Sequence, residues 1–570
     1  MAFLTSFLIS AVGRPAAARF ETATRDPVAV QQRKLMDIVT SNQDTEYGRE
    51  HGFSKIRDLK TYQASVPVVT YEAIRGHVDR AANGNKRVLT AEDPVMFAMT
   101  SGTTGDPKLI PVTPTCRGRE HADQMRVWLY HAQRAHPRIF HGSILSLVSP
   151  AVAGKTPAGI PYGSTSGMMY RDMNPLVRRS YVVPYEVFEM EDYDATYYGV
   201  MRLGIGADVT LLATANPSSV QKLVETADAH ADRLIRDLHD GTLCRELSVE
   251  PRIREVIERR LVRDASLAKR LDDARRRRDG KLLPADFWPN LAMIACWKGG
   301  TVGVTVERFP EWFDPDQRGM PPIRDWGYLS SEARGSIPLS DEGAGGVLTV
   351  TTNVFEFVPV DELEKRPEER DAWKFLGIEG VEVGQQYYVF LTTTSGLYRY
   401  DINDVVEVVG TYNRTPVICF RRKGRGMTSM TGEKLSENQV IDAMTSAAKA
   451  LDLTVDHFRA EPDVDNTRYV FKVELEKPFP EEQSEALLER IDEELCESNL
   501  EYKAKRSSGR LNAPVLQVMK PGWHEEAQKQ LAADGKPVFQ SKDVHLDAKQ
   551  DFQPEPENVE VEVELEKPPE

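Results

Sequence analysis

Nine consecutive residues, Thr100-Ser101-Gly102-Thr103-Thr104-Gly105-Asp106-Pro107-Lys108, combine a flexible backbone with hydroxyls and one cation. Such a set suits phosphate. Glycines let backbone N–H groups approach the oxygens, the hydroxyls of Ser101, Thr103 and Thr104 donate further hydrogen bonds, and Lys108 supplies a point charge. The loop is not a Walker loop, which spaces its glycines by four residues and then opens a helix with Lys and Ser/Thr. Here only Thr103 and Thr104 separate Gly102 from Gly105. The flanking runs, Val95-Met96-Phe97-Ala98-Met99 and Leu109-Ile110-Pro111-Val112, read as strands, so the loop is expected to join a hairpin. A generic Gly/Thr turn is the bland alternative, and it ranks lower because so many constrained positions coincide.

The loop resembles the signature of the adenylate-forming superfamily, Thr/Ser-Ser-Gly-Thr-Thr-Gly-x-Pro-Lys. The resemblance implies that Ser101, Gly102, Thr103, Thr104 and Gly105 hold the β- and γ-phosphates of ATP. Three further segments follow in the order that superfamily requires. In Tyr328-Leu329-Ser330-Ser331-Glu332, Tyr328 offers a ring to stack on adenine, Ser331 a hydroxyl near the α-phosphate, and Glu332 a hard oxygen ligand for Mg2+. A strand end with exposed polar groups is the alternative. In Tyr398-Arg399-Tyr400-Asp401-Ile402-Asn403-Asp404, the superfamily's ribose-binding carboxylate falls on Asp404; a charged turn is the alternative. In Phe420-Arg421-Arg422-Lys423-Gly424-Arg425-Gly426, which leads to Thr431-Gly432-Glu433-Lys434-Leu435, glycines and basic residues fit a hinge. Arg422, or its neighbour Arg421, is the candidate for the ribose or α-phosphate, and a basic linker is the alternative.

The particular spelling narrows the resemblance to the auxin-responsive Gretchen Hagen family of acyl acid amido synthetases, in its bacterial style. Ser65-Val66-Pro67-Val68-Val69-Thr70-Tyr71-Glu72 with Ala81-Ala82-Asn83-Gly84 is similar to that family's lead-in to the loop. Phe287-Trp288-Pro289-Asn290 resembles its Trp-Pro-Asn, Tyr328 to Glu332 its Tyr-x-Ser-Ser-Glu, and Tyr398-Arg399-Tyr400 its Tyr-Arg-Tyr. Gln540-Ser541-Lys542 stands where the family has Gln-Tyr-Lys, which makes Lys542 a catalytic candidate beside Lys108. The likeness runs from about residue 20 to 547. One departure follows Tyr400, where the family's Arg-x-Gly-Asp is replaced by Asp401-Ile402-Asn403-Asp404. Asn replaces Gly in a left-handed turn, so the turn is expected to survive.

The resemblance implies an ATP- and Mg2+-dependent ligase that adenylates a carboxylic acid, releases pyrophosphate, and passes the acyl group to an amino acid with loss of AMP. An acyl-CoA ligase is one alternative, and a catalytically weak adenylation fold that only binds ATP is another. The acid and the amino acid stay unnamed.

These segments need a frame of more than one core, because 570 residues exceed what a single domain holds. The expectation is an α/β protein: a large N-terminal adenylation domain over 1–423 with mixed sheets and packed helices, and a small α+β C-terminal domain over 424–547. Strands are expected at Ser143–Val148, Val209–Ala213, Gly346–Thr351, Tyr387–Leu391 and Val515–Met519. In the small domain, Tyr469, Phe471, Val473 and Leu475 alternate as a strand. Leu487, Ile491 and Leu495 follow at helical spacing, and a helix from about His524 is expected to end near Gly535. The last twenty residues carry eight acidic residues and one lysine, which reads as a disordered tail. The alternation of Val/Leu with Glu from Val559 to Leu565 leaves an edge strand as the alternative.

A net charge of −15 disfavours a nucleic-acid partner, since phosphate contacts need clustered cations. The run Arg275-Arg276-Arg277-Arg278 is flanked by Asp272, Asp273 and Asp279, and reads as a solvated helix end. Five dispersed cysteines give no CxxC pair, and eleven histidines give no HExxH, so neither a disulfide framework nor catalytic zinc is expected. The apolar start, Phe3 to Val12, lacks the basic residue of a secretory leader and reads as an amphipathic helix with Phe3, Phe7, Leu4 and Leu8 on its apolar side. No run is long enough to span a membrane. A cytoplasmic monomer with small-molecule partners is the expectation. Gly163-Ser164-Thr165-Ser166-Gly167 places Thr165 where a serine hydrolase has its nucleophile, so it reads as a flexible loop beside the acyl pocket. Trp297 with Gly299-Gly300-Thr301 is a further lining candidate, and a core Trp beside a loop is as good a reading.

Overall fold

The computed structural model describes residues 2–100, 108–190, 192–299, 303–365, 370–475, 481–524, 526, 545–547 and 552–565. Among these the chain forms two compact units that divide between Arg421 and Arg422. The protein is α/β, as expected of its alternating strand and helix patterns.

The first unit holds a parallel sheet in the order Ser143–Ser146, Val209–Ala213, Met293–Ala295, Ile323–Arg324. Val209–Ala213 is buried along its whole length, which is why it reads as a continuous apolar run rather than an alternation. Helices such as Tyr193–Gly204 and Pro217–Ala229 cross between these strands, and their apolar sides share one core with Leu145, Leu212 and Trp288. Trp288 of the Trp-Pro-Asn segment is a core residue whose indole N–H donates to the Gly204 carbonyl at 2.9 Å. The Arg275 to Arg278 run closes the helix Ala265–Arg277 as expected. Arg275 pairs with Asp232, Arg276 with Asp272, and Arg278 with Asp286 and Asp316.

Two further sheets carry the candidate site. One has the order Lys108–Val112, Met96–Thr100, Pro161–Gly163, Gly154–Lys155. The other is six-stranded, with Val354–Pro359, Gln386–Thr392 and Tyr400–Tyr412 as consecutive antiparallel neighbours. They share a core that includes Phe97, Ile110, Phe355, Val389 and Tyr398.

The N-terminal segment is helical over Ala2–Ala23, but its buried side differs from the expected one. Ile9, Ala16 and Phe20 pack on Val127 and Trp128 of the helix Ala122–Ala135, whereas Phe7 is 59% exposed. No helix among the described residues is long and apolar enough to cross a membrane.

The second unit is built on a sheet in the order Val455–Asp463, Arg468–Leu475, Val515–Met519, Val559–Glu564. Tyr469, Phe471 and Val473 point into a core with Leu487, Ile491 and Leu495 of the helix Glu481–Ser498. On the other face Lys472 is fully buried, and its ammonium pairs with Glu461 at 2.9 Å and Glu555 at 2.7 Å. The expectation of a wholly disordered tail is corrected here. Val559–Glu564 pairs antiparallel with Val515–Met519, and the fully buried Leu516 and Val518 explain why an apolar alternation was kept so near the end. The helix expected from His524 to Gly535 lies mostly outside the described residues.

Candidate active site

The hairpin around the phosphate-loop segment is present. Met96–Thr100 and Lys108–Val112 pair antiparallel, with Thr100 opposite Lys108. Ser101, Gly102, Thr103, Thr104 and Gly105 lie outside the described residues, and so does Lys542. Lys108 is positioned by a residue that spacing did not single out. Tyr71 begins the helix Tyr71–Ala82, and its hydroxyl accepts the Leu109 N–H at 2.8 Å. The Lys108 ammonium then sits over the Tyr71 ring, 5.6 Å from its centroid.

Tyr328 to Gly335 closes on itself as a tight turn. The Gly335 N–H donates to the Tyr328 carbonyl at 2.7 Å and the Ser330 N–H to the Ala333 carbonyl at 2.9 Å. Gly335 is required by close approach, since a Cβ there would lie 2.4 Å from Cδ1 of Tyr328. Ser331 and Glu332 are half-buried at the turn. Beside the stacking surface expected of it, Tyr328 has a hydroxyl task that spacing does not reveal. It donates to Oδ2 of Asp404 at 2.6 Å, and both side chains are buried. The Tyr328 ring lies nearly parallel to Phe420, at 6° with centroids 6.3 Å apart.

Asp404 owes its aim to an irregularity in the strand Tyr400–Tyr412. Phe390 faces Asp401 while its neighbour Val389 faces Asp404, so Ile402 and Asn403 are extra residues bulged out of the ladder. Asn403 takes φ +57°, the left-handed conformation that the missing glycine of the family pattern would have occupied. Its N–H donates to Asp401 Oδ1 at 3.0 Å, which gives the replaced family arginine position a local structural use. Just before the bulge Arg399 also has positive φ, +46°. Its guanidinium binds Glu356 at 3.0 Å and the carbonyls of Gln63 and Val66 at 3.1 and 2.9 Å, all within the interior. Its carbonyl accepts the Val69 N–H, and the Val69 carbonyl accepts the Asp401 N–H. The lead-in segment and the Tyr-Arg-Tyr segment are thereby locked together.

Electrostatics tie these pieces into one cluster. Burial pushes the Tyr328 phenol well above its ordinary range, and the negative charges of Asp404 and Glu332 push it further. Burial does the same to Tyr400, followed by Glu332, Asp401, Tyr71 and Asp404. Lys108 over Tyr71, Tyr400, Glu332, Tyr328 and Asp404 thus share one neighbourhood although the sequence scatters them from Tyr71 to Asp404. Among the described residues no group of three His, Cys, Asp or Glu side chains could hold a metal ion by itself. Glu332, expected from the sequence as a metal ligand, is a half-buried carboxylate beside this cluster.

The remaining candidates divide. Arg421 is turned outward onto Glu407 at 2.9 Å. Arg422 opens the second unit, is half-buried, and donates to the Lys423 carbonyl at 3.2 Å. The Gly163 to Gly167 segment is not a loose loop. Ser164 caps the helix Thr165–Arg171 by accepting the Gly167 N–H, and a Cβ on Gly167 would lie 2.1 Å from the Ser149 carbonyl oxygen. Trp297 is half-buried and its N–H donates to the Ala215 carbonyl at 2.9 Å, while Gly300 and Thr301 lie outside the described residues.

Comparison with known proteins bears on the whole chain. It matches the GH3 family N-terminal domain over residues 16–317, the central domain over 346–423 and the C-terminal domain over 438–550. It is 25% identical over 561 residues to the indole-3-acetic acid-amido synthetase GH3.6 of Arabidopsis thaliana, covering 92% of this chain and 89% of that one. It is 25% identical over 545 residues to the jasmonoyl–L-amino acid synthetase JAR6 of Nicotiana attenuata, covering 92% and 91%. Among solved structures it shares its fold with an acyl acid amido synthetase, AtGH3.15 in complex with 2,4-DB. The TM-score is 0.66 at 22% identity, over 97% of each chain.

Proposed function

This chain belongs to the GH3 family, and on that premise we propose that it is an ATP-dependent acyl acid amido synthetase. It adenylates a carboxylic acid with release of pyrophosphate, then joins the acyl group to an amino acid with release of AMP. The observation that carries the reading is the cluster in which Tyr328 holds Asp404, with Glu332, Tyr400 and the Tyr71–Lys108 contact beside it.

In the first half-reaction a carboxylate oxygen attacks the α-phosphorus, and the bond to pyrophosphate breaks. The protein has little covalent chemistry to do, so positioning and charge neutralisation dominate. Asp404, fixed by Tyr328, accepts hydrogen bonds from the ribose hydroxyls. Lys108, Ser101, Gly102, Thr103, Thr104 and Gly105 hold the β- and γ-phosphates, and Ser331 and Arg422 serve the α-phosphate or ribose. Glu332 would hold Mg2+, which supplies charge neutralisation on the leaving pyrophosphate when bound. Tyr328 contributes an adenine-facing ring. In the second half-reaction the small domain, residues 424–547, turns about the hinge near Arg422 to Gly426, Lys542 leaves the phosphates, and the amine of an amino acid attacks the acyl carbonyl. The protein acts as a cytoplasmic monomer on small molecules.

Purified protein with Mg-ATP and a broad carboxylate panel should release pyrophosphate only when an acid is present. AMP and an amide should appear when amino acids are added, and no thioester should appear when CoA replaces them. Absence of carboxylate-dependent pyrophosphate across the panel would overturn the reading, and a thioester product would move it to an acyl-CoA ligase.

A further inference from the structure

Arg334, two residues beyond Glu332, carries a half-buried cation for which the fold supplies no carboxylate among the described residues. Its backbone is fixed three times over. The Arg334 carbonyl accepts from Gln124 Nε2 at 2.9 Å, from the Thr349 hydroxyl at 2.7 Å and from Asn353 Nδ2 at 3.1 Å. Among the described residues the guanidinium itself reaches only a thioether, with Nη2 2.7 Å from Sδ of Met169 on the helix Thr165–Arg171.

The surroundings do not answer that charge. Cys116 and His121 end a π-helical turn, Cys116–His121, a rare form that recurs at functional sites. Their side chains meet at 3.3 Å, Sγ to Nε2. Burial pushes the Cys116 thiol up to about 12 and the His121 imidazole down to about 3, so both are neutral near pH 7. The two carboxylates on these segments are taken. Glu120 binds Lys34 and the Thr394 hydroxyl, and Asp172 binds Arg117 with Arg171 3.9 Å away. A half-buried guanidinium that has a sulfur and neutral groups beside it, and no carboxylate among the described residues, keeps N–H groups open to an anion entering from solvent. A planar fork of this kind matches a carboxylate in two-point contact.

We propose that Arg334 selects acyl acids that carry a second carboxylate, remote from the one that is activated. The proposal rests on the amido synthetase reading for where the acid binds, and it names the substrate class for that site. Arg334 is the specificity-determining residue, and the thioether of Met169 provides an adaptable apolar wall beside it.

The experiment compares acids of matched skeleton: succinate with butyrate, glutarate with valerate, and phthalate and isophthalate with benzoate. Carboxylate-dependent pyrophosphate release should favour at least one dicarboxylate by about 10- to 100-fold in kcat/KM. Arg334→Met should bring that ratio to near one or below, and Arg334→Lys should keep part of it. Equal rates for both members of every pair in the wild type would overturn the proposal. So would an equal loss for both members in Arg334→Met, which would assign Arg334 to the activated carboxylate or to structure. Thermal shift without ATP reads the site independently of turnover. The favoured dicarboxylate should raise the wild-type melting temperature and leave Arg334→Met unmoved, with the variant's own melting temperature reporting that it folds. A wild type that releases no pyrophosphate with any acid but still shows the dicarboxylate shift would overturn the reaction and retain the anion site. A wild type that shows neither would overturn both.

Discussion

Two buried tyrosine–carboxylate pairs, one in each unit, are built in opposite ways. In the first unit Tyr328 donates to Asp404 at 2.6 Å across 76 positions of sequence, and the neighbourhood holds two more acids, Glu332 and Asp401. In the second unit Tyr469 donates to Glu433 at 2.5 Å, and the same carboxylate takes the Met430 N–H at 2.6 Å, the Thr431 N–H at 2.8 Å and the Thr431 hydroxyl at 3.0 Å. Asn499 also donates to the Glu433 carbonyl at 2.9 Å. Glu433 therefore ties the loop between Thr428 and Ser436 to its own unit, where donors outnumber acids. Around Asp404 the carboxylates of Asp401 and Glu332 gather beside the buried phenols of Tyr328 and Tyr400. The first pair lies in the proposed nucleotide site, and the second holds a loop of its own unit.

Glu433→Ala should break the comparison hardest on the stability side. It orphans four donors at a fully buried position, so the second unit should lose about 3–5 kcal/mol, read as a lower denaturation midpoint. A change under about 1 kcal/mol would mean that the loop does not depend on Glu433. Asp404→Ala should act the other way round. Acid-dependent pyrophosphate release should fall at least about 100-fold, while stability should drop only about 1–2 kcal/mol for the stranded Tyr328 hydroxyl. Near-normal turnover would remove Asp404 from the ribose site.

The same contrast explains what was legible in the sequence. Hairpin strands, the Val209–Ala213 core strand and the Leu487/Ile491/Leu495 helix face follow from short-range periodicity, and they appear within a residue or two of where the pattern puts them. Asn403 was also readable, since only a few residue types tolerate positive φ. The Tyr328–Asp404 bond was not readable, because it depends on a two-residue bulge that re-aims Asp404. Nor was the placement of Lys108 by Tyr71, or the Arg399–Glu356 pair that joins the lead-in to the Tyr-Arg-Tyr segment. Glu433 read as part of a basic hinge, though its four hydrogen bonds make it the anchor of that segment. The tail and the N-terminal helix were misread for a shared reason. Alternation and apolar spacing indicate that a face exists, and only the partner strand or helix decides which face is buried.

Paired Tyr→Phe substitutions sharpen the comparison with a smaller effect. Tyr328→Phe should leave the ring in place, free the Asp404 carboxylate to rotate, and raise KM for ATP about 10-fold. Tyr469→Phe removes one of four donors to Glu433, so it should cost about 1 kcal/mol and leave KM for ATP unchanged. Equal kinetic effects from the two variants would erase the distinction between a ligand pair and a loop pair.

The smallest effects are pH-dependent and separate the two units by window. In the first unit, burial first and Arg334 second hold His121 down to about 3, against about 6.5 in an unfolded chain. Between those values the unfolded state binds the extra proton, so stability falls as pH drops below about 6.5, by up to about 1.4 kcal/mol per unit. In the second unit, burial and Arg510 lower Lys505 to about 8, while Glu501 and Glu433 partly restore it. The unfolded chain keeps that lysine protonated up to about 10.4, so stability rises as pH climbs from about 8, with a similar limiting slope. His121→Asn should flatten the acid limb and leave the basic one, and Lys505→Met should do the reverse when followed to pH 9.5, short of where the tyrosines ionise. Glu433→Gln should steepen the basic limb, because it removes a negative charge that favours protonated Lys505. An unchanged basic limb in that variant would uncouple Lys505 from the loop that Glu433 holds.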